Sequence, residues 1–502
     1  MAEKTIIIIG AGAAGLAAGC YAQMNGYRSR IFELHNQPGG LCTAWTRKGY
    51  TFDGCLHYLF GSGLGQPFYS MWEELGAVQG RTMVNHDEYQ RITDGQHTLI
   101  VYADPDRLEQ HMLELAPEDA PLIRRFCAGV RQFTRFDMAA LYAKPRPLMG
   151  AQDWRAFGMK MLPFLLPLLR WALVPSKRFA ERFKNPFLRR AVAHMFSWEE
   201  APVMMGMFLL AYLHNGNAGF PVGGSLEFAR ALERRYLALG GEITYGAQVE
   251  KILTEDGRAV GVRLYNDEVH RADVVISAAD GRTTLFDLLD GQYLNRRLRR
   301  MYDGHLPMHS QIQVSLGVSR DLSAEPHWVT HLLDKPVLII GEERCEVGVK
   351  HYGFDPSLAP AGKSAVEVMI RSNHAYWQHI YGRKLYDTEQ RQVSGIIIDL
   401  LEGWHPGIRQ DIEHVDEATP LSYERFTSNW MGSTCGWLLS KETMPMMITG
   451  VSKTLPGLAN FYLAGHWVEP GGSVPLAAAS GRAAVQFICH ADRRPFQATV
   501  PA

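Results

Sequence analysis

The chain contains 502 residues, of which 46% are hydrophobic, and its formal net charge is −1. A chain of this length can bury a large core and form two or more domains, and its near-neutral charge gives no indication of nucleic-acid binding. The seven cysteines form no CxxC pair, and the apolar run in the opening sequence MAEKTIIIIG is short. These features argue against a zinc or disulfide framework and against a secretory signal, so we expect a cytoplasmic protein.

The first predicted elements form a nucleotide-binding βαβ unit. A buried strand over residues 5–9 leads into the turn GAGAAG, a helix follows over residues 16–24, and a second strand over residues 29–32 ends in Glu33. A glycine-rich turn alone is common, whereas strand, turn, helix, strand and terminal acid in this order are typical of dinucleotide-binding proteins. We expect the Glu33 carboxylate to accept hydrogen bonds from a ribose hydroxyl.

Each glycine of the turn has its own predicted role. Gly10 permits a tight backbone turn, Gly12 lets the backbone approach a pyrophosphate, and Gly15 lets the helix pack closely against the sheet. The helix N-terminus then faces the phosphates, because its free N–H groups and partial positive charge favour anions. The residues predicted to bind the dinucleotide in this unit are Gly10, Gly12, Ala13, Ala14, Gly15 and Glu33.

A second glycine pair and a GYTFD sequence follow the βαβ unit. Gly39 and Gly40 precede Leu41, and GYTFD occupies residues 49–53. This combination resembles flavoproteins of the phytoene desaturase, carotenoid isomerase and retinol saturase superfamily, and GGLC with FDGCLHY is most similar to the last two branches. The resemblance implies FAD as the dinucleotide, bound in part by Gly39, Gly40 and Leu41. Leu41 takes the place of an arginine that classical desaturases and amine oxidases usually carry after the glycine pair.

A second block with this resemblance spans residues 218–280. The sequence AGFPVGGS leads into a predicted helix, and strands follow on both sides of a hairpin turn at Asp256 and Gly257. In the family, the strand that corresponds to residues 247–249 passes the adenine. The resemblance therefore implies a backbone contact from Val249.

The third block lies near the C-terminal end of the sequence. A strand over residues 458–464 precedes a glycine-rich loop over residues 465–472, and a helix rich in small residues starts at Val474. A helix N-terminus suits the edge of a flavin that gains negative charge on reduction, and small side chains let the helix approach a flat ring. By resemblance, the residues expected to contact FAD here are Gly465, Gly471, Gly472, Ser473 and Val474.

The three blocks predict an interleaved α/β architecture. No second complete dinucleotide fingerprint follows residue 40, so we expect FAD to exchange electrons with the substrate or with an external donor or acceptor. The resemblance implies a Rossmann-like FAD-binding domain interleaved with a mixed-sheet substrate domain and a helical, membrane-facing insert. The predicted FAD-binding parts are residues 1–75, 218–284 and 451–491, the substrate parts are 76–217 with the helical insert and 285–450, and a tail covers 492–502.

The helical insert has a composition of its own. Residues 121–190 contain 15 lysine and arginine residues against 3 acidic residues, together with many aromatic ones. The apolar centre, residues 161–175, is too short to span a bilayer and is interrupted by prolines. Three interpretations stay open: a segment in a membrane interface, a helical cap whose apolar face belongs to the core, and a positive mouth for a carboxylate, phosphate or acyl-CoA. Related carotenoid enzymes draw polyenes from the bilayer, so the resemblance implies a membrane-facing entrance over residues 121–215.

Flavin chemistry needs few protein groups, because hydride transfer at N5 requires no protein nucleophile. His57 and Tyr58 are the nearest motif-linked candidates for proton transfer, with orientation of the flavin as the alternative role for the histidine. Glu469 and His466 lie in the predicted flavin-edge loop and are further candidates. Cys435 is either a pocket-lining thiol or a covalent tether for FAD. No metal-ligand cluster or Ser-His-Asp arrangement is evident, so we expect no metal.

Three functions are compatible with the sequence. The first, which we expect, is an FAD-dependent oxidoreductase that acts on a hydrophobic carotenoid, retinoid or other isoprenoid polyene as a saturase, desaturase or redox-neutral isomerase. The second is an amine-oxidase-like flavoenzyme, which predicts an aromatic cage and leaves the basic, apolar insert unexplained. The third is a non-catalytic flavin-binding protein associated with a membrane. The first function predicts a lipophilic unsaturated substrate and a peripheral position at a membrane surface.

Overall fold

The computed structural model describes residues 3–196 and 199–501. In chain order the strands of this part are β1 (Thr5–Ile9), β2 (Arg28–Phe32), β3 (Ala44–Arg47), β4 (Tyr50–Asp53), β5 (Leu59–Phe60), β6 (Met83–Val84), β7 (Glu88–Thr93), β8 (Thr98–Tyr102), β9 (Ala218–Pro221), β10 (Glu242–Thr244), β11 (Val249–Glu255), β12 (Arg258–Leu264), β13 (Val269–Arg271), β14 (Val274–Ser277), β15 (Ser310–Val318), β16 (Trp328–Ile339), β17 (Glu342–His351), β18 (Ser364–Ser372), β19 (Ile412–Ala418) and β20 (Phe461–Leu463).

The α-helices of the same part connect and cover these strands. They are α1 (Ala13–Met24), α2 (Tyr69–Glu74), α3 (Pro105–Leu115), α4 (Ala120–Phe133), α5 (Ala151–Met161), α6 (Leu165–Trp171), α7 (Ser176–Ala180), α8 (Pro186–Ala193), α9 (Val203–His214), α10 (Gly224–Ala238), α11 (Arg296–Met301), α12 (His374–Gly382), α13 (Tyr386–Trp404), α14 (Ile408–Asp411), α15 (Pro420–Thr427), α16 (Met444–Thr449) and α17 (Val474–Ala491).

A five-stranded parallel sheet collects strands from three distant parts of the chain. Its order is β10-β2-β1-β14-β20, and the isoleucines of β1 are buried at its centre. Such uniformly apolar strands are typical of parallel sheets covered on both faces. Helix α17 packs against α1, where a Cβ on Gly481 would lie only 2.2 Å from the carbonyl oxygen of Ala14. The parallel α/β sheet that the opening motif predicts is therefore present.

A seven-stranded mixed sheet forms the second large layer. Its order is β19-β15-β18-β17-β16-β7-β8, and all its pairs are antiparallel except β16 with β7. Strands β7 and β8 precede the helical insert, whereas the other five follow it, so this sheet is also assembled from separated segments. Helices α12 and α13 share a hydrophobic core with this sheet through Trp377, Val393 and Ile397.

The predicted insert is helical, since α4 to α9 occupy it. Most of its aromatic side chains are buried in the main core, which matches the interpretation of a helical cap; these are Phe126, Phe133, Phe136, Trp171, Phe179, Phe183 and Phe187. Helices α5 and α6 and the short segment between them differ, because they expose Trp154, Met159, Leu162, Leu165, Leu166 and Leu169. Among the residues that the structure describes, no helix is both long and apolar enough to cross a membrane.

Several predicted boundaries shift by a few residues. The first helix begins at Ala13 rather than residue 16, and the second strand begins at Arg28. The strand predicted over residues 458–464 is shorter, because Asn460 adopts a left-handed conformation with φ 58° and only Phe461–Leu463 pair with β14. The sequence SAVEVMIRS, residues 364–372, alternates as a strand does, and it coincides with β18 at both ends.

Candidate active site

A cavity of about 860 Å³ lies where the two large sheets meet. One side is formed by the turns that follow the carboxyl ends of β1, β2, β14 and β20, and the opposite side by residues of β15, β16, β17 and β18. Ligands of open α/β sheets bind at the carboxyl ends of the parallel strands. The cavity therefore lies at the edge where the sequence predicts the dinucleotide.

The turn after β1 forms the floor of a cradle at this edge. Gly10 has φ 96°, and its N–H donates a hydrogen bond to the carbonyl oxygen of Phe32. A Cβ on Gly12 would meet only the carbonyl oxygen of Gly39 at 3.7 Å, so the Gly12 backbone is open to a ligand. Gly12 is also the N-cap of α1, and no side chain of the described residues caps that helix. Uncapped N–H groups at this position suit a pyrophosphate.

Glu33 lies beside this turn and is buried. Its carboxylate accepts hydrogen bonds from the backbone N–H groups of Ala11, at 2.5 Å, and His35, at 2.8 Å. Burial raises the pKa of Glu33, while these two hydrogen bonds oppose that shift. Glu33 and Val249 both line the cavity. The carboxylate is thus held in place next to the space where a ribose would lie.

The start of α17 closes the other end of the cradle. Its N-cap is Ser473, and no described side chain caps this helix either. Gly472 is required there, since a Cβ would lie 1.7 Å from the carbonyl oxygen of Cys435. The N–H of Gly465 donates to Ser480 Oγ at 2.7 Å, which fixes the loop on the helix.

Most of the predicted cofactor residues converge on this one cavity. Those that line it are Gly10, Gly12, Ala13, Ala14, Glu33, Gly39, Gly40, Leu41, Val249, Gly465, Gly472, Ser473 and Val474. Gly15 and Gly471 do not line it. Gly15 instead lets α1 pack against the turn, because a Cβ there would lie 1.9 Å from the carbonyl oxygen of Gly10. Two uncapped helix N-termini, open glycine backbones and a buried carboxylate fit the pyrophosphate, ribose and flavin edge of FAD.

Hydrogen bonds of Asp53 fix the segment between the cradle and the second sheet. Its fully buried carboxylate accepts hydrogen bonds from the backbone N–H groups of Cys55 and Leu56 and from both the N–H and the hydroxyl of Ser225, at 2.6–3.0 Å. The N–H of Asp53 donates to Glu367 Oε1 at 2.8 Å. The GYTFD sequence therefore links β4, α10 and β18, and it positions the residues that follow it.

His57 and Tyr58, the predicted catalytic candidates, follow this link and line the cavity. Burial lowers the pKa of His57 well below its usual value, so the imidazole is neutral near pH 7, and burial raises the pKa of Tyr58 to about 12. Among the described residues, His57 Nδ1 has no hydrogen-bond partner although it is buried. The structure thus brings both side chains to the cavity, and their catalytic role stays a prediction.

The other three candidates differ in their surroundings. His466 and Cys435 line the cavity, and burial lowers the pKa of His466 to about 4 and raises that of Cys435 to about 12. The Cys435 side chain is therefore a neutral thiol rather than a thiolate. Glu469 does not line the cavity and forms a part-buried ion pair with Lys453 at 2.5 Å. The ion pair holds Glu469 in the loop, and its candidate role in proton transfer stays a prediction.

A polar row on the second sheet was not anticipated from the sequence. In register across four strands lie Ser315 of β15, Glu367 of β18, Lys350 of β17 and Trp328 of β16. Burial lowers the pKa of Lys350 to about 7, and burial together with the nearby Asp53 raises that of Glu367 to about 8. Lys350 and Trp328 line the cavity. Strand alternation predicts β18, but it does not indicate which strands pair, and pairing creates this row.

Comparison with known proteins agrees with this geometry. A family model described as flavin containing amine oxidoreductase matches residues 13–489. The chain is 26% identical over 502 aligned residues to prolycopene isomerase 2, chloroplastic, of an Oncidium hybrid cultivar, covering 95% of this chain and 82% of that protein. It is 25% identical over 519 residues to a 4,4'-diapophytoene desaturase (4,4'-diapolycopene-forming) of Methylomonas sp, covering 98% and 97%.

Solved structures share the fold at lower identity. A triple mutant of putrescine oxidase superposes with a TM-score of 0.62 at 15% identity, covering 97% of this chain and 99% of that one. At this identity the likeness concerns the fold alone. The predicted similarity to the retinol saturase branch stays a prediction. The match over nearly the whole chain and the named relatives establish that the protein belongs to the flavin-containing amine oxidoreductases and is an FAD-dependent oxidoreductase of the carotenoid desaturase and isomerase superfamily.

Proposed function

We propose that the enzyme desaturates, saturates or isomerises a hydrophobic polyene at a bond held against its flavin. The observation that carries this proposal is that a single cavity joins the FAD cradle to a wall of the second sheet and to residues near the insert, including Phe196 and Lys177. The relatives named as prolycopene isomerase and diapophytoene desaturase support a polyene as the substrate class.

In this proposal the protein positions the substrate and manages protons. FAD, when bound, supplies hydride exchange at its N5 atom. The aromatic side chains of Tyr58 and Trp328 line the cavity and flank the polyene, which replaces water beside the reacting bond. Desaturation removes one proton and saturation requires one. The neutral imidazole of His57 relays that proton rather than stores it, because burial disfavours the charged form of the ring.

A cationic amine is a poorer fit for this wall than a polyene. The Lys350 ammonium lies on the cavity without a carboxylate within 4.0 Å among the described residues, whereas Arg344, which lines the cavity too, is paired with Glu342. Like charges in a poorly solvated site repel each other strongly. The position of Lys350 therefore favours a polyene over an amine as the substrate, two alternatives that the shared fold alone does not distinguish.

The exposed part of the insert supplies a route for a lipophilic substrate. We propose that α5 and α6 rest on an anionic membrane surface. Their exposed leucines lie among exposed basic side chains, a combination that suits the headgroup region; the basic residues are Arg155, Lys160, Arg170, Lys177 and Arg178. Lys177 belongs to these exposed basic residues and also lines the cavity, so the cavity reaches this side of the insert.

Anaerobic reaction of the purified holoenzyme tests the proposed chemistry. The oxidised and the reduced enzyme are each mixed with carotenoid and retinoid polyenes or with putrescine, and flavin absorbance is followed together with product mass. We expect polyene products that differ by two hydrogens with a matching change in flavin absorbance, or isomers of unchanged mass. Flavin reduction by putrescine with no conversion of any polyene would overturn the proposal in favour of amine oxidation.

A further inference from the structure

The row on the second sheet places an unmatched cation at the cavity wall. Lys350 is only 8% exposed, yet across the described ranges its ammonium has no hydrogen-bond acceptor and no carboxylate oxygen within 4.0 Å. Its Nζ lies 4.0 Å from the centroid of the Trp328 ring. A cation–π contact offsets part of the cost of burying an ammonium, but it accepts no conventional hydrogen bond.

The imidazole of His57 lies beside the same Trp328 indole and also has a nitrogen without a hydrogen-bond partner among the described residues. Its ring centroid lies 5.9 Å from that of Trp328, and its buried Nδ1 atom lacks a partner in the described part of the chain. Lys350 contributes to the low pKa of His57, so the two side chains are also electrostatic neighbours. Trp328, Lys350 and His57, which we call the polar corner, therefore border one region of the cavity.

The carboxylates near this corner, Glu367 and Asp53, do not pair with the Lys350 ammonium. Glu367 is adjacent to Lys350 in register, but one of its oxygens accepts from the N–H of Asp53 and it forms no ion pair with Lys350. Asp53 is occupied by four donors of its own. Among the residues that the structure describes, the Lys350 ammonium and the His57 Nδ1 atom thus have no internal partner, although buried polar groups are nearly always paired.

We propose that the polar corner binds an acceptor oxygen of the substrate, on a carbonyl or carboxylate group, so the preferred substrate is an oxygenated isoprenoid rather than a hydrocarbon. The inference deepens the proposed function and rests on the polyene assignment made there. A pure hydrocarbon would leave the Lys350 ammonium desolvated and unpaired, whereas an oxygen at this position satisfies it. A site built to bind a substrate oxygen rejects an analogue that lacks it.

Matched ligands that differ only in the end group test this inference. The holoenzyme is titrated with retinoic acid, retinal and the hydrocarbon of the same skeleton, and binding is followed by perturbation of flavin absorbance. We expect the acid and the aldehyde to bind at least about tenfold more tightly than the hydrocarbon, since a hydrogen bond to a charged group contributes enough for that ratio. Equal affinities for the three ligands would overturn the inference.

Substitution of the lysine locates the preference. Lys350→Met keeps the length of the side chain and removes the ammonium, so the acid and the aldehyde should lose most of their advantage while the hydrocarbon binds as before. Lys335→Met is the matched control, because Lys335 is an exposed lysine on β16 of the same sheet and does not line the cavity. If both variants, or neither, lose the preference, the polar corner is not its source.

A second variant and the pH dependence guard against a merely structural effect. His57→Phe preserves an aromatic ring beside Trp328 and should weaken the same preference by a smaller factor, with flavin retention reporting that each variant is folded. The pKa of Lys350 is about 7 because burial lowers it, so wild-type affinity for retinoic acid should fall between about pH 6 and pH 8. Loss of that pH dependence is expected in Lys350→Met, and its persistence there would contradict the inference.

The two proposals can fail separately. If the end-group preference is present but no polyene is converted, the proposed reaction is wrong and the polar corner is retained. If polyenes are converted and the hydrocarbon binds as tightly as the acid, the reaction is retained and the polar corner is wrong.

Discussion

The FAD cradle lies across one cavity from the polar row of the second sheet, which we call the polar wall and which consists of Ser315, Glu367, Lys350 and Trp328. The two regions are built in different ways. The cradle consists of short turns whose residues are close in sequence, and it depends on positions such as Gly15 and Gly472 where backbone approaches backbone. The wall consists of single residues from four strands. Lys350 and Glu367 are neighbours because their strands pair in that register, not because a local sequence motif places them together. Steric constraints dominate the first region and electrostatic constraints the second.

This contrast has consequences for mutation. A substitution in the cradle forces backbone atoms apart and should act on folding and on flavin retention. A substitution in the wall leaves the backbone path intact and should act on pH dependence and on ligand preference. Variants of the two regions should therefore differ in whether they lose stability and flavin or change pH dependence and ligand preference.

Gly15→Ala should cause the largest loss. A Cβ at this position would lie 1.9 Å from the carbonyl oxygen of Gly10, so α1 and the turn must separate. We expect the free energy of unfolding to fall by about 3 kcal/mol or more and FAD to be lost on purification. Flavin-to-protein absorbance and thermal unfolding measure both effects.

The matched control for Gly15→Ala is Gly395→Ala in α13. A Cβ there meets nothing within 4 Å, and alanine is the better helix former, so this variant should be stabilised by up to about 1 kcal/mol. If Gly15→Ala kept its flavin and its stability, the cradle would not be limited by the close approach of α1 to the turn.

Asp53→Asn and Glu367→Gln should separate structural from titrating carboxylates. Asparagine cannot accept the four hydrogen bonds that Asp53 receives, so we expect a loss of about 3 kcal/mol at neutral pH. Glu367 accepts one hydrogen bond, and burial, followed by the nearby Asp53, raises its pKa to about 8. The Glu367 side chain is therefore mostly protonated at pH 7, and glutamine resembles the protonated form. The Glu367→Gln variant should therefore lose much less.

Substitution of Glu367 should also change how the free energy of unfolding depends on pH. Because the folded-state pKa of Glu367 is raised, its stability contribution is complete below the usual pKa of 4.5 and is lost as the pH rises through about 8. Glu367→Gln removes this loss, so the variant should gain stability relative to the wild type between about pH 5 and pH 8. Chemical unfolding at several pH values measures it, and a constant difference would contradict the assigned pKa.

The cradle and several individual strands were largely predictable because their signals are local. The strand, glycine turn and helix at residues 5–24 follow from apolar runs and glycine spacing, and the alternating sequence of β18 indicates a strand in its own right. The hairpin turn at Asp256 and Gly257 is also a local signal, and both residues adopt positive φ as such turns require.

The polar wall could not be predicted because it depends on which strands pair. Nothing near Lys350 in the sequence indicates that it lies between Glu367 and Trp328, since those neighbours are 17 and 22 positions away on other strands. The many aromatic residues of the insert were equally ambiguous. Composition did not distinguish Phe126, which is buried in the core, from Trp154, which is exposed.

Acid should weaken the wall side of the molecule through a stacked histidine pair. The rings of His86 and His327 are 3.6 Å apart and nearly parallel, and burial is the main cause that lowers their pKa values to about 4 and about 2. The unfolded chain takes up protons below its usual histidine pKa of 6.5 while the folded pair stays neutral, so stability falls as the pH drops from about 6.5 toward 4.

His86→Phe tests this acid effect. The variant keeps a stacked ring and removes one titrating group, so it should lose about 1–2 kcal/mol less than the wild type between pH 7 and about pH 5. Melting temperatures across that range measure the difference. His379→Phe, on the exposed face of α12, is the control and should follow the wild-type curve. Identical curves for all three proteins would mean that the stacked pair does not govern acid sensitivity.

Substitutions on the exposed face of the insert should have the smallest effect on the free energy of unfolding and a clear effect on membrane binding. Leu166 and Leu169 are 78% and 71% exposed, so replacing both with asparagine should change the free energy of unfolding by no more than about 0.5 kcal/mol. Sedimentation with vesicles that contain anionic lipid should nevertheless fall several-fold, because apolar contact and charge act together at an interface. Leu338→Asn, at an exposed position of β16, is the control and should bind vesicles as the wild type does. If the wild type sediments no better with anionic than with neutral vesicles, α5 and α6 do not form a membrane surface, and the cavity must receive its substrate by another route.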